Sequence, residues 1–182
     1  YYGIHSLRAA ENFPITNQRL PGAMIVSMAW IKKACARANR MAGVLPGRIA
    51  DAIERACDDL IAGKLHDQFI VDPIQGGAGT STNMNANEVI ANRAIELLGG
   101  KKGDYSLVHP NDHVNCGQST NDIYPTCVKM TLFRVCESLL DGLDVLIGAL
   151  SERAKAFDGV VKMGRTQLQD AVPIRLGQEF AA

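Results

Sequence analysis

The sequence predicts a mainly α-helical fold, with an amino-terminal domain over residues 1–118 followed by the start of a long-helix bundle over residues 119–182. Apolar residues recur at intervals of three and four along several segments, which is the period of a helix packed on one face. The longest of these patterns, from Val128 to Leu150, corresponds to about six helical turns at 3.6 residues each. A helix of that length favours a bundle, because only other helices can cover so long a stripe. The last helical pattern stops at Ala182, so we expect the bundle to be incomplete.

The first two helices follow from apolar spacing between turn residues. Residues 22–41 form the first predicted helix, on the pattern Met24, Met28, Ile31 and Cys35. The second begins at Pro46, which the first turn of a helix tolerates, and it ends at Gly63. After it, residues 68–71 predict a short strand, because the apolar run Phe-Ile-Val is stopped by Asp72-Pro73.

Two further segments carry recognisable end signals. Asn85 with Glu88 three residues later predicts a capped helix start, and the glycines at 99–100 end that helix. Residues 159–173 lack a sustained period and are typical of a polar hairpin or loop. Another helix is predicted to begin within residues 174–180.

The start of the long helix allows two interpretations. Ser119 and Asp122 have the spacing of a capping box, which predicts a helix from about Thr120 with a kink at Pro125. Alternatively, the regular helix begins at Pro125, where proline fits the first turn. We favour the start near Thr120.

Composition excludes several classes of function. The 19 basic and 19 acidic side chains cancel, which argues against a nucleic-acid partner. The sequence also lacks a basic amphipathic stretch, so it does not indicate a membrane partner. There is no apolar run of about 18 residues, as a membrane span needs, and no signal-peptide pattern at the start. The five cysteines are odd in number and lack a Cys-x-x-Cys spacing, which predicts reduced thiols in a cytoplasmic protein and no zinc site.

The segment 76–85 combines three glycines with neutral donors. Glycine allows close backbone approach and positive φ, which suits an N–H cradle for an anion. Thr80, Thr82 and Asn83 add hydroxyl and amide donors near a helix start. The Gly-Lys-Ser/Thr ending of a phosphate loop is missing, so nucleotide binding is not expected. A polar turn with a helix cap explains the same residues slightly better on spacing alone.

Two more polar segments offer the same chemistry. Ser119, Thr120 and Asn121 stand at the second helix start, and residues 164–170 add hydroxyl, amide and guanidinium groups. Donors that converge on one carboxylate stabilise the dianion formed when a neighbouring carbon loses a proton. The sequence therefore indicates a site for a small anion in carbanion chemistry.

Two histidines and one cysteine need separate interpretation. His109 and His113 have a spacing that binds metals on a helix, but Pro110 lies between them, which favours structural or substrate-contacting roles. Cys116 lies between polar clusters and is the thiol whose reactivity deserves testing, while the others are expected to pack as small apolar groups.

Four motifs in the order of this chain closely resemble the aspartase/fumarase superfamily. They are Gly-Gly-Ala-Gly-Thr-Ser-Thr-Asn-Met-Asn-Ala-Asn-Glu-Val-Ile-Ala-Asn at 76–92, His-Pro-Asn-Asp-His-Val-Asn at 109–115, Gln-Ser-Thr-Asn-Asp at 118–122 and Gly-Arg-Thr-Gln-Leu-Gln-Asp-Ala-Val-Pro at 164–173. The first thirteen residues are similar to it too. Ala78, Ser81, Thr82 and Gln167 look like the ammonia-lyases of the superfamily, with the class II fumarases as the alternative.

The resemblance implies reversible elimination of ammonia from L-aspartate to give fumarate, through an aci-carboxylate. It implies these substrate-binding residues: Thr80, Ser119, Thr120, Asn121, Thr166 and Gln167. The first three would hold the β-carboxylate, Asn121 with Thr80 would face the amino group, and Thr166 with Gln167 would contact the α-carboxylate.

The resemblance also implies a second carboxylate site at His109, Asn111 and Asp112. It implies no organic cofactor, and a divalent metal would be at most an activator. Its members are homotetramers in which three subunits build each active site, so we expect that assembly and a small dicarboxylate or amino-acid substrate.

One family motif is missing from these residues. The catalytic base of the family is a serine in a loop of the form Gly-Ser-Ser-x-Met-Pro-x-Lys-x-Asn, and no such segment occurs in the sequence. We therefore expect no catalytic base among the 182 residues, and no elimination activity from them alone. A non-catalytic binding or assembly module of the same fold remains the alternative from another class.

Overall fold

The computed structural model describes residues 1–182 and divides into two compact units, Tyr1–Arg134 and Val135–Ala182. The chain is mainly helical, as predicted. Its helices are, in order, α1 (Ile4–Asn12), α2 (Gly22–Met41), α3 (Gly47–Ile61), α4 (Thr80–Leu97), α5 (Thr120–Ala156) and α6 (Leu176–Ala181). A 3-10 turn at His66–Gln68 and a single π-helical turn at Pro110–Val114 lie between them. No helix is both long and apolar enough to span a membrane.

The core of the first unit lies where α3 packs against α2 and α4. Met28 on α2, Ile53 and Leu60 on α3, and Val89 and Ile90 on α4 are each at most 1% exposed. Burying one such side chain contributes about 1.5–3 kcal/mol. The predicted bounds of α2 are confirmed, and α3 begins one residue after and ends two residues before its predicted bounds. One apolar stripe on each helix faces this core.

The predicted start of α4 at Asn85 is wrong. The helix begins five residues earlier, at Thr80, after Gly79 takes the left-handed conformation at φ +85°. Asn85 is fully buried inside the helix, where its Oδ1 accepts from Ile70 N at 2.9 Å and its Nδ2 donates to Gln68 O at 3.0 Å. The asparagine therefore bonds a distant backbone segment and not its own helix end.

The same two bonds explain why the predicted strand at 68–71 is also wrong. Phe69 and Val71 are buried as the apolar pattern required, but no neighbouring strand pairs with them. The side chain of Asn85 supplies the donor and acceptor that a partner strand would have supplied. The segment thus satisfies these backbone groups without pairing to a strand.

Glu88 is also not the partner in a capping box at Asn85. Its carboxylate is fully buried and accepts from Gly3 N at 2.8 Å, His5 N at 3.0 Å and Ser6 N at 3.1 Å, and from the Ser6 hydroxyl. A negative group at this position compensates the free N–H groups at the start of α1. Glu88 therefore fastens α1 to α4.

Helix α5 contains 37 residues, which corresponds to about 55 Å at 1.5 Å per residue. It begins at Thr120 with Pro125 inside, so the preferred helix start is confirmed and a start at Pro125 is excluded. Its middle exposes many large apolar side chains, including Phe133 at 76% and Val145 at 75%.

The second unit contains a β-hairpin, which confirms the hairpin predicted for this region. Strand β1 (Val161–Thr166) pairs antiparallel with β2 (Gln169–Arg175), with an irregularity between Gly164 and Arg165. Helix α6 follows β2, and Phe180 on it packs on Phe157 with ring centroids 5.7 Å apart.

Candidate functional site

Thr80 is the first residue of α4, and its side chain is exposed. Gly77 and Gly79 precede it at φ +81° and +85°, which turns the polar loop directly into the helix. Gln75 braces this loop, since its Oε1 accepts from Thr82 N at 2.9 Å and its Nε2 donates to Thr82 Oγ1 at 2.7 Å. Thr82 therefore serves the loop itself, while Thr80 remains accessible.

The starts of α4 and α5 lie side by side. Asn83, in the first turn of α4, donates from Nδ2 to Thr120 Oγ1 at 2.9 Å. The ring of Tyr124 on α5 lies directly against Gly79, so closely that a Cβ there would overlap it. The structure thus brings together two helix N-termini, whose free N–H groups and dipoles favour an anion.

The other candidates on α5 are arranged around its first turn. Ser119 and Asn121 are exposed and Thr120 is half-buried. The Ser119 hydroxyl accepts from Asn121 N at 3.2 Å, so it caps the helix start as predicted. Four candidate residues, Thr80 and 119–121, therefore occupy two adjacent helix starts with hydroxyl and amide groups available for a ligand.

A buried lysine connects to this pair of helix starts. Lys32 on α2 is 0% exposed, and its Nζ donates to Asn115 Oδ1 and Gln118 Oε1, both at 2.9 Å. The same Asn115 oxygen accepts from Asn83 Nδ2 at 3.1 Å. Burial lowers the pKa of Lys32 to about 7. None of its hydrogen-bond partners is a carboxylate, so the cation is held by neutral amides.

Sequence reasoning missed Lys32 as a site residue. A signal was present, because Lys32 follows Met28 by four residues and so continues the apolar stripe of α2. A lysine inside such a stripe is rarely buried without a partner. Its partners could not be identified from spacing, since Asn115 and Gln118 are more than eighty residues away.

The amide of Asn83 is only partly satisfied. Its Nδ2 donates to two oxygens, but its buried Oδ1 has no partner within the chain. Asn87, one turn later on α4, is 0% exposed, and neither polar atom of its side chain is bonded. These are costly positions for polar atoms, at about 1–3 kcal/mol for each unsatisfied group.

The two histidines accept backbone hydrogen bonds in the π-helical turn. His109 Nδ1 accepts from Asn111 N at 3.3 Å and Asp112 N at 3.2 Å, and His113 Nδ1 accepts from His109 N at 2.8 Å. An accepting Nδ1 carries no hydrogen, which places the hydrogen of each ring on Nε2. The 3.3 Å approach of Asp112 Oδ2 to His109 Nδ1 is therefore not a charged pair in this tautomer. Burial lowers the pKa of His113 below its ordinary value.

The second carboxylate candidates occupy this same turn. His109 is half-buried with its ring edge against Tyr105, at 5.8 Å between centroids, whereas Asn111 and Asp112 are exposed. The turn presents the Nε2–H of His109 as a donor. The two accepting Nδ1 atoms are both used in holding the turn, which supports structural roles for these nitrogens over metal binding.

Thr166 and Gln167 lie in the second unit, at the end of β1 and in the hairpin turn. The turn has only two residues, Gln167 at φ +50° and Leu168 at φ +64°. A turn with positive φ at both positions normally uses Asn-Gly, so this one is strained. Gln167 and Leu168 are exposed, the leucine at 91%. Strain of this kind at an exposed turn is a common feature of functional sites.

All five cysteines are free thiols. Cys57 and Cys127 are buried, and burial raises the pKa of Cys127 to about 11, so both pack as apolar groups as predicted. Cys116 is half-buried, and its backbone oxygen accepts from Asn39 Nδ2 at 2.8 Å.

A wide surface cavity of about 800 Å³ lies elsewhere, between α2 and α3. Its charged side chains pair across the two helices, with Lys33 on Asp58 at 2.5 Å and Arg37 on Glu54 at 2.6 Å. Since these charges neutralise each other, we interpret the cavity as a surface groove lined by ion pairs between α2 and α3.

Comparison with known proteins identifies a family for this chain. A protein-family model described as "Lyase" matches residues 1–182. The chain is 56% identical over 182 residues to the aspartate ammonia-lyase of Bacillus subtilis, covering 100% of this chain and 38% of that protein. It is 53% identical over 181 residues to the class II fumarate hydratase of Halobacterium salinarum, covering 99% and 38%.

A solved structure shares the fold. The fumarate lyase:delta crystallin of Brucella melitensis in native form superposes with a TM-score of 0.86 at 53% identity, over 99% of this chain and 42% of that one. The chain thus spans about two fifths of the length of the relatives it matches. On the family model, the identities and the fold together, the chain belongs to the aspartase/fumarase superfamily of lyases.

Proposed function

We propose that the full-length protein to which these residues belong reversibly eliminates ammonia from L-aspartate to give fumarate. The observation that carries the proposal is the junction of α4 and α5, where two helix starts present uncharged donors side by side. A carboxylate placed there gains charge when the adjacent carbon is deprotonated, and fixed donors stabilise that charge without reorganising. The relatives named aspartate ammonia-lyase, at up to 56% identity, favour aspartate as the substrate.

For the substrate-binding residues we propose the roles that the family resemblance implies. Thr80, Ser119 and Thr120 would donate to the β-carboxylate that becomes the aci-carboxylate, supported by the free N–H groups of both helices. Asn121, exposed in the first turn of α5, would face the amino group together with Thr80. A neutral set of donors suits a reaction in which charge builds up and then disappears.

For the α-carboxylate we propose Thr166 and Gln167. The hairpin turn supports this role, since the backbone of Gln167 is strained at φ +50° and such strain is concentrated at ligand-binding sites. The second carboxylate site would use His109 with Asn111 and Asp112, through the Nε2–H of His109 and the exposed side chains of the turn.

We propose no organic cofactor and no resident metal for this chemistry. Charge development at the carboxylate would instead be met by the donors of α4 and α5.

The base that removes the C3 proton is proposed to lie outside these 182 residues. Without it, the residues of the α4–α5 junction can hold a carboxylate but cannot start the elimination. The test is fumarate formation, followed at its ultraviolet absorbance, for the isolated 182 residues and for the full-length protein. We expect product only from the latter, and turnover by the 182 residues alone would refute the assignment of the base.

We further propose that residues 1–118 form an amino-terminal lyase domain and residues 119–182 the first part of a central helical bundle. The exposed apolar side chains along α5 support this, because such a surface is stable in water only when covered. The partner helices would come from a homotetramer with shared active sites. The free thiols fit a cytoplasmic location.

Class II fumarate hydratase is the second candidate, favoured by the 53% identity to the Halobacterium enzyme. The two reactions share fumarate and differ in whether ammonia or water adds to it. The full-length protein should be given fumarate with ammonia, and fumarate with water alone. We expect aspartate in the first case; malate without aspartate would establish the hydratase.

A non-catalytic binding or assembly module is the alternative from another class. Isothermal titration of the full-length protein with aspartate and with succinate separates it from the lyase. A purely structural protein would bind neither ligand, whereas the proposed site should bind both.

A further inference from the structure

We propose that Lys32 is a positioning residue for the substrate carboxylate: acting through Asn115 and Asn83, it sets the direction in which the Thr120 hydroxyl donates its hydrogen. The inference rests on the proposed function, in which Thr120 binds that carboxylate. It assigns a role to a buried side chain on α2, a helix that contributes no residue to the substrate-binding set.

The ammonium group of Lys32 fixes the orientation of the two amides that it contacts. A protonated lysine has three donors and no acceptor, so the atom it bonds in each amide must be an oxygen. The bonds from Lys32 Nζ therefore fix Oδ1 of Asn115 and Oε1 of Gln118 on the side facing the lysine, both at 2.9 Å. Neither amide can be flipped without placing N–H groups against the cation.

The fixed orientation passes from Asn115 to α4. Because Asn115 Oδ1 is an acceptor, the atom of Asn83 that approaches it at 3.1 Å must be the donor Nδ2. The other end of the Asn115 amide donates to Gln118 O at 3.0 Å, which is consistent with the same orientation. Lysine, asparagine and asparagine thus form one directed chain of donors.

This chain of hydrogen bonds ends on Thr120, the proposed substrate contact. Asn83 Nδ2 also donates to Thr120 Oγ1 at 2.9 Å, so the hydroxyl oxygen accepts on that side. The hydrogen of the hydroxyl must then be donated in another direction. At the junction of α4 and α5 it becomes a donor for an incoming carboxylate, which is the polarity that the reaction needs.

Protonation of Lys32 maintains the direction of the hydrogen bonds that lead from it to Thr120. Burial lowers the pKa of Lys32 to about 7, and a neutral amine could accept as well as donate. The titratable groups near it are the thiols of Cys35 on α2 and Cys57 on α3, whose pKa values burial raises, so both stay neutral around pH 7. Near neutral pH, the direction of these hydrogen bonds therefore depends on the protonation state of Lys32 and not on that of a neighbouring thiol.

The test uses succinate binding and aspartate turnover by the full-length protein. Lys32→Met removes the donors while keeping an unbranched side chain, and Lys33→Met is the matched control, since Lys33 is the neighbouring lysine that pairs with Asp58 on the surface. We expect Lys32→Met to weaken succinate binding and to lower kcat/KM about tenfold, or about 1.4 kcal/mol. Lys33→Met should change neither.

Thr120→Val separates this inference from the proposed function. If Thr120→Val binds succinate normally, the proposed role of Thr120 fails. If Thr120→Val is impaired but Lys32→Met is not, only the role of Lys32 fails. We expect the double variant to be no worse than Thr120→Val alone, because both changes remove the same donor; additive losses would overturn the relay.

Two further measurements guard against a folding defect. Asn83→Leu interrupts the chain without touching the lysine and should weaken succinate binding by a similar factor. In the wild type, the succinate affinity should fall as the pH rises through about 7, and this component should be absent in Lys32→Met. A structural lysine would leave the two pH profiles parallel, and that result would refute the proposal.

Discussion

The ring of Tyr124 lies against the α-carbon of Gly79, and this contact holds the start of α5 beside the start of α4. Gly79 is at φ +85°, where a side chain is strained, and the space that a Cβ would need is already filled by the aromatic ring. One glycine thus meets two separate requirements at the candidate site.

We predict that Gly79→Ala lowers both stability and ligand binding. The backbone strain costs about 1–2 kcal/mol, and displacement of Tyr124 adds to it. Gly43→Ala is the matched control, because Gly43 has φ +72° and nothing within 4 Å of a Cβ. Thermal unfolding should show the larger loss for Gly79→Ala, and succinate binding should fall only there. Equal effects would mean that the Tyr124 contact is unimportant.

Loss of the negative charge of Glu88 should lower the stability of the folded protein. In Glu88→Gln an amide NH2 replaces one oxygen and meets backbone N–H groups of α1, while the helix start loses its compensating charge. We expect a loss of about 1.5–3 kcal/mol in the free energy of unfolding, measured in urea. Glu54→Gln, in an ion pair with the exposed Arg37, should cost less than about 1 kcal/mol. A loss at Glu88 no larger than that of the control would contradict the capping role.

We expect substitution by leucine to have opposite effects on stability at Asn87 and at Asn85, which lie on the same helix. Asn87→Leu removes two buried polar atoms that have no partner, so we expect a gain of about 1 kcal/mol in stability. Asn85→Leu leaves Ile70 N and Gln68 O unbonded and should cost about 1–3 kcal/mol. Calorimetric unfolding of both variants checks the signs, and a destabilised Asn87→Leu would indicate that its amide has a partner in the assembled protein.

Lys32 should make stability depend on pH above neutrality. Its folded-state pKa of about 7 lies below the ordinary lysine pKa of 10.5, so between these values the unfolded state binds more protons. Stability from this group therefore rises with pH across that window, by up to about 1.4 kcal/mol per pH unit, and the term is constant below it. The difference in unfolding free energy between the wild type and Lys32→Met, measured from pH 6 to 10, should show this slope. A constant difference would place the lysine pKa outside the window.

His113 should make the stability of the folded protein depend on pH below neutrality. Burial lowers its pKa below the ordinary value, and its Nδ1 accepts from His109 N, so protonation costs both burial and a hydrogen bond. Stability from this group should be complete above about pH 6.5 and fall as the pH drops toward the folded-state pKa. His113→Gln should reduce that fall in acid unfolding curves, whereas an unchanged curve would argue against the buried ring.

Local patterns predicted much of the fold because the forces that set those elements are local. The apolar stripes of α2 and α3, the Thr120 start of α5 and the hairpin after residue 159 all depend on spacing and end signals within the segment itself. The strand at 68–71 and the Asn85 cap failed for one shared reason. Asn85 bonds a backbone segment some fifteen residues away, and no rule based on neighbouring residues contains that contact.

The sequence by itself determined the chemistry: hydroxyl and amide donors at two helix starts, no net charge, and the motifs of a lyase family. Only the tertiary structure decided that α4 and α5 begin side by side, and that a lysine on α2 reaches them through Asn115 and Asn83. The physical reason is that donor identity belongs to a residue, whereas the direction of a hydrogen bond depends on which atoms packing brings within hydrogen-bond distance.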